Sequence, residues 1–231
     1  MTRHGVKHEV LPAELQELLE PDERGRVERM PRDARGEVFR AFREMVEPIR
    51  AAGKLGGILL QLAPYVVVKP QSYEYLEWTG EQLKGYDVLV EFRHRSWFED
   101  EKQTEETLGF LERNGFANVV VDAPRSDAKN LIPTVPAVTG RVAYVRFHGR
   151  NAKTWNVRGG SAADRFDYLY PEEELREWVA PVRQLEAEAE EAYALMNTNA
   201  RSPGPDGWGE IAQGPANAQA LARVLSDAGS G

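Results

Sequence analysis

The chain alternates between two hydrophobic rhythms. Downstream of Arg35, the residues Val38, Phe42, Met45, Val46 and Ile49 recur at helical spacing and share one face of a helix. Gly53 closes that helix, and Pro48 falls in its last turn, where a bend is expected. LGGILLQL (55–62) is a short continuous apolar run, the pattern of a buried strand. A helix over about 71–84, stopped by Gly85, follows it. The rhythm then repeats: a strand at DVLVEF (87–92), a helix at 101–114 ending at Gly115, and a strand at ANVVVD (117–122). RVAYVRFH (141–148) is another strand. Residues 170–190 form a helix with Leu175, Trp178, Val179, Val182 and Leu185 inward. EAYALMN (191–197) is the last strand, and 216–228 a final helix facing inward through Leu221, Ala222 and Leu225.

Strands alternating with helices imply an α/β fold with a parallel sheet. Five strand–helix units fit either an open doubly wound sheet or part of an eight-stranded (β/α)8 barrel. The open sheet would call for a Gly-rich phosphate turn after an early strand. APYVVVKP (63–70), which follows 55–62, contains none. Residues 9–33, rich in charge and proline, predict a short helix and a long excursion. RSPGPDGWGE (201–210) predicts a loop over the sheet and not a linker, so residues 1–231 form one domain.

In parallel sheets, function collects at the C-terminal ends of the strands. Each strand here ends in a polar residue that its apolar body does not require. These are Gln61, then Glu91 with Arg93, then Asp122, then Arg146 with His148, then Asn197 with Asn199 close behind. Residues two apart on a strand share a face, so Glu91 and Arg93 go together, as do Arg146 and His148. Each also has a structural reading. Glu91 and Arg93 form a plain ion pair, Asp122 caps a turn, His148 is a core histidine, and Asn199 stabilises a turn. Trp97 and Trp155 are either wall aromatics of a pocket or ordinary packing.

Composition narrows the class. Hydrophobic residues are 42% and charged residues 29% of the 231, an ordinary globular mixture. No run approaches the roughly 18 apolar residues of a membrane helix, and MTRHGVKHEV lacks the apolar core of a signal peptide. With no cysteine, disulfides, thiolate metal sites and a cysteine nucleophile are excluded, and a cytoplasmic setting is expected. The net charge of 29 − 37 = −8 argues against a general nucleic-acid partner. Charge is nevertheless uneven. Residues 171–191 hold eight acids and two bases, whereas 141–165 hold six bases and one acid. A basic site on an acidic body suits a compact anion. The 148–166 loop carries Arg150, Lys153, Arg158 and Gly159–Gly160, a pattern suited to an oxyanion or simply to a solvated basic loop. Metal binding is not expected. Glu91, Asp122 and His148 could together hold a divalent ion, but Arg93 and Arg146 on the same faces would repel it. Nothing in the sequence names a cofactor or an oligomeric state.

Several segments resemble one family. They are GKLGGILLQLAPY (53–65), VLVEFRHRSW (88–97), VVVDAP (119–124), YVRFHGRN (144–151), the run from Trp155 to YLYPEEEL (168–175), and GPANAQALARVL (214–225). They resemble the YecE-like family, domain of unknown function 72, in order over 34–228. The resemblance implies a TIM-type (β/α)8 barrel without a settled reaction. It also implies that residues 1–33 follow the third barrel strand, with Thr2 and His4 at that strand's mouth, and that the five strands are the fourth to eighth. On that reading the chain is an N-terminally shortened barrel of low stability on its own. The family's closing pair of adjacent asparagines is replaced here by Asn197-Thr198-Asn199. The resemblance supports Gln61, Glu91, Arg93, Trp97, Asp122, Arg146, His148 and Asn197 as the pocket.

The leading functional expectation is an enzyme for an anionic or phosphorylated substrate. Arg93 and Arg146 would anchor the anion, with Gln61, Trp97, Asn197, Arg150 and Arg158 also contacting substrate. Glu91, Asp122 and His148 would carry acid/base chemistry. The alternatives are a metal-dependent phosphodiesterase or nuclease, which rests on fold analogy, and a non-catalytic ligand-binding protein.

Overall fold

The computed structural model describes residues 6–27, 30–126, 128–155, 162–204 and 209–229, with backbone alone at 162–163. Two short strands, β1 (Val6–Lys7) and β2 (Arg26–Val27), pair antiparallel on either side of helix α1 (Ala13–Leu18). Leu11, Leu15 and Val27 give this N-terminal excursion a small core of its own. The ribbon has no sequence signal, since two residues are too few to show alternation.

The body then runs α2 (Arg32–Ala51), β3 (Ile58–Gln61), α3 (Pro70–Gln82), β4 (Val88–Glu91), α4 (Glu101–Arg113), β5 (Phe116–Asp122) and β6 (Val142–Phe147). It continues with α5 (Ala162–Arg165), α6 (Glu172–Arg176), α7 (Val179–Glu188), β7 (Glu191–Met196), β8 (Arg201–Pro203), β9 (Glu210–Ala212) and α8 (Gln213–Asp227). Strands β3 to β7 form one sheet in sequence order, each neighbour parallel. Helix starts follow local chemistry. Pro70 opens α3 with its ring-fixed φ, and the Asp100 carboxylate caps α4 by accepting from Gln103 N at 2.8 Å. Gly115, at φ 66°, makes the left-handed turn from α4 into β5.

Three expectations need correction. The 170–190 helix is two helices, α6 and α7, hinged at Glu177–Trp178; the break lets Leu175, Trp178 and Leu185 all reach the core. The 201–210 segment contains the β8–β9 antiparallel ribbon instead of plain loop. In α8 the inward face is Leu221 with Val224, and Ala222 is exposed. Helix α2 also departs from the pattern: Phe39 and Val46 are buried, with Phe39 edge-on to Trp78 at 5.4 Å, while Met45 is 67% exposed and Ile49 48%. Its N-terminal half packs on the small cluster around Leu15 of α1 through Ala34 and Val38 and on α3 through Phe39, which leaves Met45 and Ile49 uncovered.

Strand register divides the core. Ile58, Leu60, Val88, Val90 and Phe92 point to α2, α3 and α4, and Val120, Val145 and Phe147 point to α6, α7 and α8. The opposite face, carrying Leu89, Ala117, Val119, Val121 and Val142, is covered by Leu131 and Trp155 from the connecting loops. That cover stops short of the edges. Leu59 on β3 is 37% exposed, and Tyr193 and Leu195 on β7 are 37% and 41% exposed. Among the described residues the two edge strands do not meet, so the sheet is open.

Phe147 ties the sheet to the second group of helices on that one face, edge-on to Trp178 at 4.8 Å and to Tyr170 at 5.8 Å. Phe147→Ala should therefore lower unfolding free energy by about 3–5 kcal/mol in chemical denaturation, the range for a buried aromatic emptied to a cavity.

Candidate functional site

Gln61, Glu91, Arg93, Arg146, His148 and Asn197 converge at the C-terminal ends of β3, β4, β6 and β7. Parallel register sets this up: Gln61 lies level with Glu91, and Arg146 with Leu195, so side chains of the same parity share the face opposite the helices. Asn197 and His148 continue that parity one step past the ordered ladder, where Asn197 N donates to Phe147 O at 2.8 Å.

Glu91 is fully buried and lies at the centre. Arg93 Nη1 donates to its Oε1 at 2.9 Å, Arg146 Nη1 donates to its Oε2, and His148 Nε2 lies 3.3 Å from Oε1. Arg146 also donates to Gln61 Oε1 at 3.0 Å and, through Nη2, to Asn197 Oδ1 at 3.1 Å. This last bond fixes the amide. With Oδ1 turned to the guanidinium, Asn197 Nδ2 is the donor to His148 Nδ1 at 3.0 Å. Nδ1 is then an acceptor, so the ring proton sits on Nε2 and is donated to Glu91. Phe166 stacks on the imidazole at 5.3 Å and Trp155 meets it edge-on at 6.2 Å. The Arg93 guanidinium lies 6.0 Å over the Trp155 ring.

Charge follows from this geometry. Burial opposes ionisation of Glu91, but the His148 hydrogen bond and the two guanidinium charges outweigh it and hold the carboxyl at about 2. Burial pushes the His148 imidazole below its ordinary range, against the pull of Glu91. The cluster thus holds two guanidinium charges, one carboxylate charge and a neutral imidazole: an excess of one positive charge, with both guanidinium side chains 14% exposed.

The remaining sequence candidates lie elsewhere. Asp122 has the parity of Phe147, its register partner, and faces the helices. There Arg150 grips it through Nε at 3.0 and 3.1 Å, and Tyr170 Oη donates to it at 2.5 Å. Asp122 and Arg150 therefore do not join Glu91; the one-residue offset from Val121 decides it. Trp97 is fully buried in the helix-side core, donating from Nε1 to Val66 O at 2.9 Å and packing on Phe92 at 4.5 Å. It is a packing residue because its short helical turn folds it under the strand end. Asn199 is exposed. Thr2, His4 and Arg158 lie outside the described residues.

Sequence reasoning missed the support on the helix side. At the start of α8, Asn217 accepts from Tyr170 N at 2.9 Å and donates to Tyr168 O at 2.9 Å, and Gln213 accepts from Tyr168 N at 2.8 Å. Tyr170, so held, accepts from Gly149 N at 2.9 Å while donating to Asp122. Two buried amides four residues apart on an otherwise apolar face, Gln213 and Asn217 in QGPAN (213–217), are the signal that could have found it.

The sequence profile described as "Protein of unknown function DUF72" matches residues 16–229. The chain belongs to this family. The UPF0759 protein YunF of Bacillus subtilis is 31% identical to the DUF72 chain over 181 residues, covering 77% of it and 64% of the relative. A crystal structure of a DUF72 family protein from Thermotoga maritima superimposes with TM-score 0.67 at 31% identity, over 85% of this chain and 66% of that one. One from Enterococcus faecalis gives 0.71 at 26% identity, over 83% and 66%. The DUF72 chain thus spans just under two thirds of these relatives' length.

A carboxyl held near 2 in the folded state, against 4.5 ordinarily, makes the unfolded chain bind the proton first as pH falls. Stability from Glu91 is then complete above about pH 5 and lost towards pH 2, on the order of 3 kcal/mol. The lowered His148 acts in the same direction, beginning below its ordinary 6.5. Glu91→Gln should shrink this acid-side slope of the melting temperature and cost about 3–5 kcal/mol at pH 7 by stranding two guanidinium groups.

Proposed function

We propose that the chain is an anion-binding portion of a (β/α)8 barrel, contributing five of its eight units, and that the Glu91 cluster receives an anionic or phosphorylated small molecule. The supporting observation is the buried excess of positive charge at the strand ends: Arg93 and Arg146 share one carboxylate. The open sheet edges and the greater length of the relatives support the barrel reading. Among the described residues, no helix is long and apolar enough to cross a membrane.

In this reading Arg93 and Arg146 contact the anion. Glu91 orients the guanidinium groups instead of accepting a proton, since a carboxylate held near 2 with three donors on it is a weak base. His148 is the acid/base group. A bound anion that draws Arg146 away from Glu91 raises the basicity of that carboxylate and of the imidazole hydrogen-bonded to it. Gln61 and Asn197 set the direction of Arg146 and the tautomer of His148.

Trp155, beside Arg93 and His148, reports on the pocket. Inorganic phosphate should shift its indole N–H resonance saturably and raise the melting temperature through preferential binding to the folded state. Arg146→Met should weaken that binding at least tenfold, the loss of one charge-assisted contact, while the chain stays folded (about 1.4 kcal/mol). Full phosphate affinity at Trp155 in Arg146→Met would defeat the proposal.

A further inference from the structure

A cavity of about 390 Å3 lies between α2 and α3, lined by residues of these two helices alone. It shares no residue with the Glu91 cluster. Its volume is that of a small-metabolite site.

Four arginines of α2 gather around it, and only one is balanced. Arg40 donates to Glu37 at 2.7 Å and to Glu44 at 2.7 Å. Arg32 and Arg35 both lie over the ring of Trp78, which lines the cavity, at 5.5 and 5.2 Å from its centroid. Arg43 donates through Nη1 to the backbone O of Gln82. A ring face and a carbonyl are neutral partners. Among the described residues, Arg32, Arg35 and Arg43 therefore have no matching carboxylate, and Arg35 also keeps its Nε buried without an acceptor. The remaining acid of the cavity is Asp33. Glu77 and Glu81 of α3 line a different depression. Three charges against one leave an excess of two.

The arginines are also held in place. Trp78 is 8% exposed and braced edge-on by Phe39 at 5.4 Å, so it is a firm support. A guanidinium that rests on a ring uses its face and keeps its N–H edge for an oxyanion. Arg43 is fixed at Gln82, one helical turn beyond Trp78, which brings the two anchorages close together. Gly36 adds an independent observation. It lies inside α2 and lines the cavity, where glycine weakens a helix. Packing does not require it, because a Cβ there would meet nothing nearer than Gln82 Oε1 at 3.8 Å, an ordinary contact. The missing side chain leaves the groove open.

We propose that this groove is a second binding site, independent of the Glu91 pocket, for a small molecule held by its phosphate group. Arg32 and Arg43 meet the phosphate oxygens, Arg35 adds positive potential beside Trp78, and Gly36 leaves room for the ligand. The excess of two charges matches the charge of about −2 on a phosphate monoester better than the single charge of a carboxylate.

The indole N–H signal of Trp78, assigned by Trp78→Phe in 1H–15N spectra, tests this. Inorganic phosphate, acetate and chloride are titrated in turn at matched ionic strength. Phosphate should shift the Trp78 signal saturably and bind at least tenfold more tightly than acetate, and chloride should give no saturable shift. The pair Arg32→Gln and Arg43→Gln should weaken phosphate binding at Trp78 at least tenfold. Gly36→Leu should do the same by filling the groove with every charge retained, and it decides the matter if the paired variant does not fold. An unaltered Trp155 signal without phosphate shows that each variant is folded. Arg146→Met should leave phosphate binding at Trp78 unchanged. The second site is refuted if phosphate does not move Trp78, if acetate or chloride does so equally well, or if binding survives in Gly36→Leu. Loss of the Trp78 shift in Arg146→Met would also refute it, by making the signal an echo of the first pocket. Failure at Trp155 with success at Trp78 defeats only the Glu91 proposal.

Discussion

One buried carboxylate holds the strand ends together. Glu91 on β4 faces Arg93 from its own chain segment, Arg146 from β6 and His148 just beyond it, and Arg146 in turn reaches Gln61 on β3 and Asn197 after β7. Four of the five strands thus meet through one ion. Desolvating two guanidinium groups is tolerable only with that partner in place. The same ion determines the proton on His148, because the amide of Asn197 has only one orientation that satisfies both Arg146 and the imidazole. Charge, tautomer and strand alignment are one problem here, solved together.

The helix side has its own fastening. Asn217 and Gln213, at the start of the last helix, grip the backbone of Tyr168 and Tyr170. Tyr170 holds Asp122 and the amide of Gly149. The backbone N–H of His148 donates to Asp122 O at 2.8 Å. The loop that carries His148 into the Glu91 cluster is therefore anchored by residues almost 70 positions later in the chain. Cooperative buried polar networks of this kind are stable only when each member is satisfied.

Much of the fold was legible because it is written in local pattern. The apolar runs at 55–62, 87–92, 117–122 and 141–148 each became a strand within three residues of the expected ends, since a strand buried on both faces needs continuous Val, Ile and Leu. The errors came where tertiary context intervened. Helix 170–190 breaks at Trp178 to serve two packing directions. Met45 and Ile49 lie on a helix with too little neighbouring surface to bury them.

For the site, the sequence determined which residues stand at strand ends and which pairs, two apart, share a face. That is enough to bring Glu91, Arg93, Arg146 and His148 together, because alternation is a property of the strand itself. It could not determine register between strands, and register is what sends Asp122 to the helix side while Arg146 goes to Glu91. Nor could it separate Trp97, folded into the core, from Trp155, set beside the imidazole. Those outcomes depend on which residues of distant segments lie level with each other, and only the assembled sheet, with its helices packed on one face, decides that.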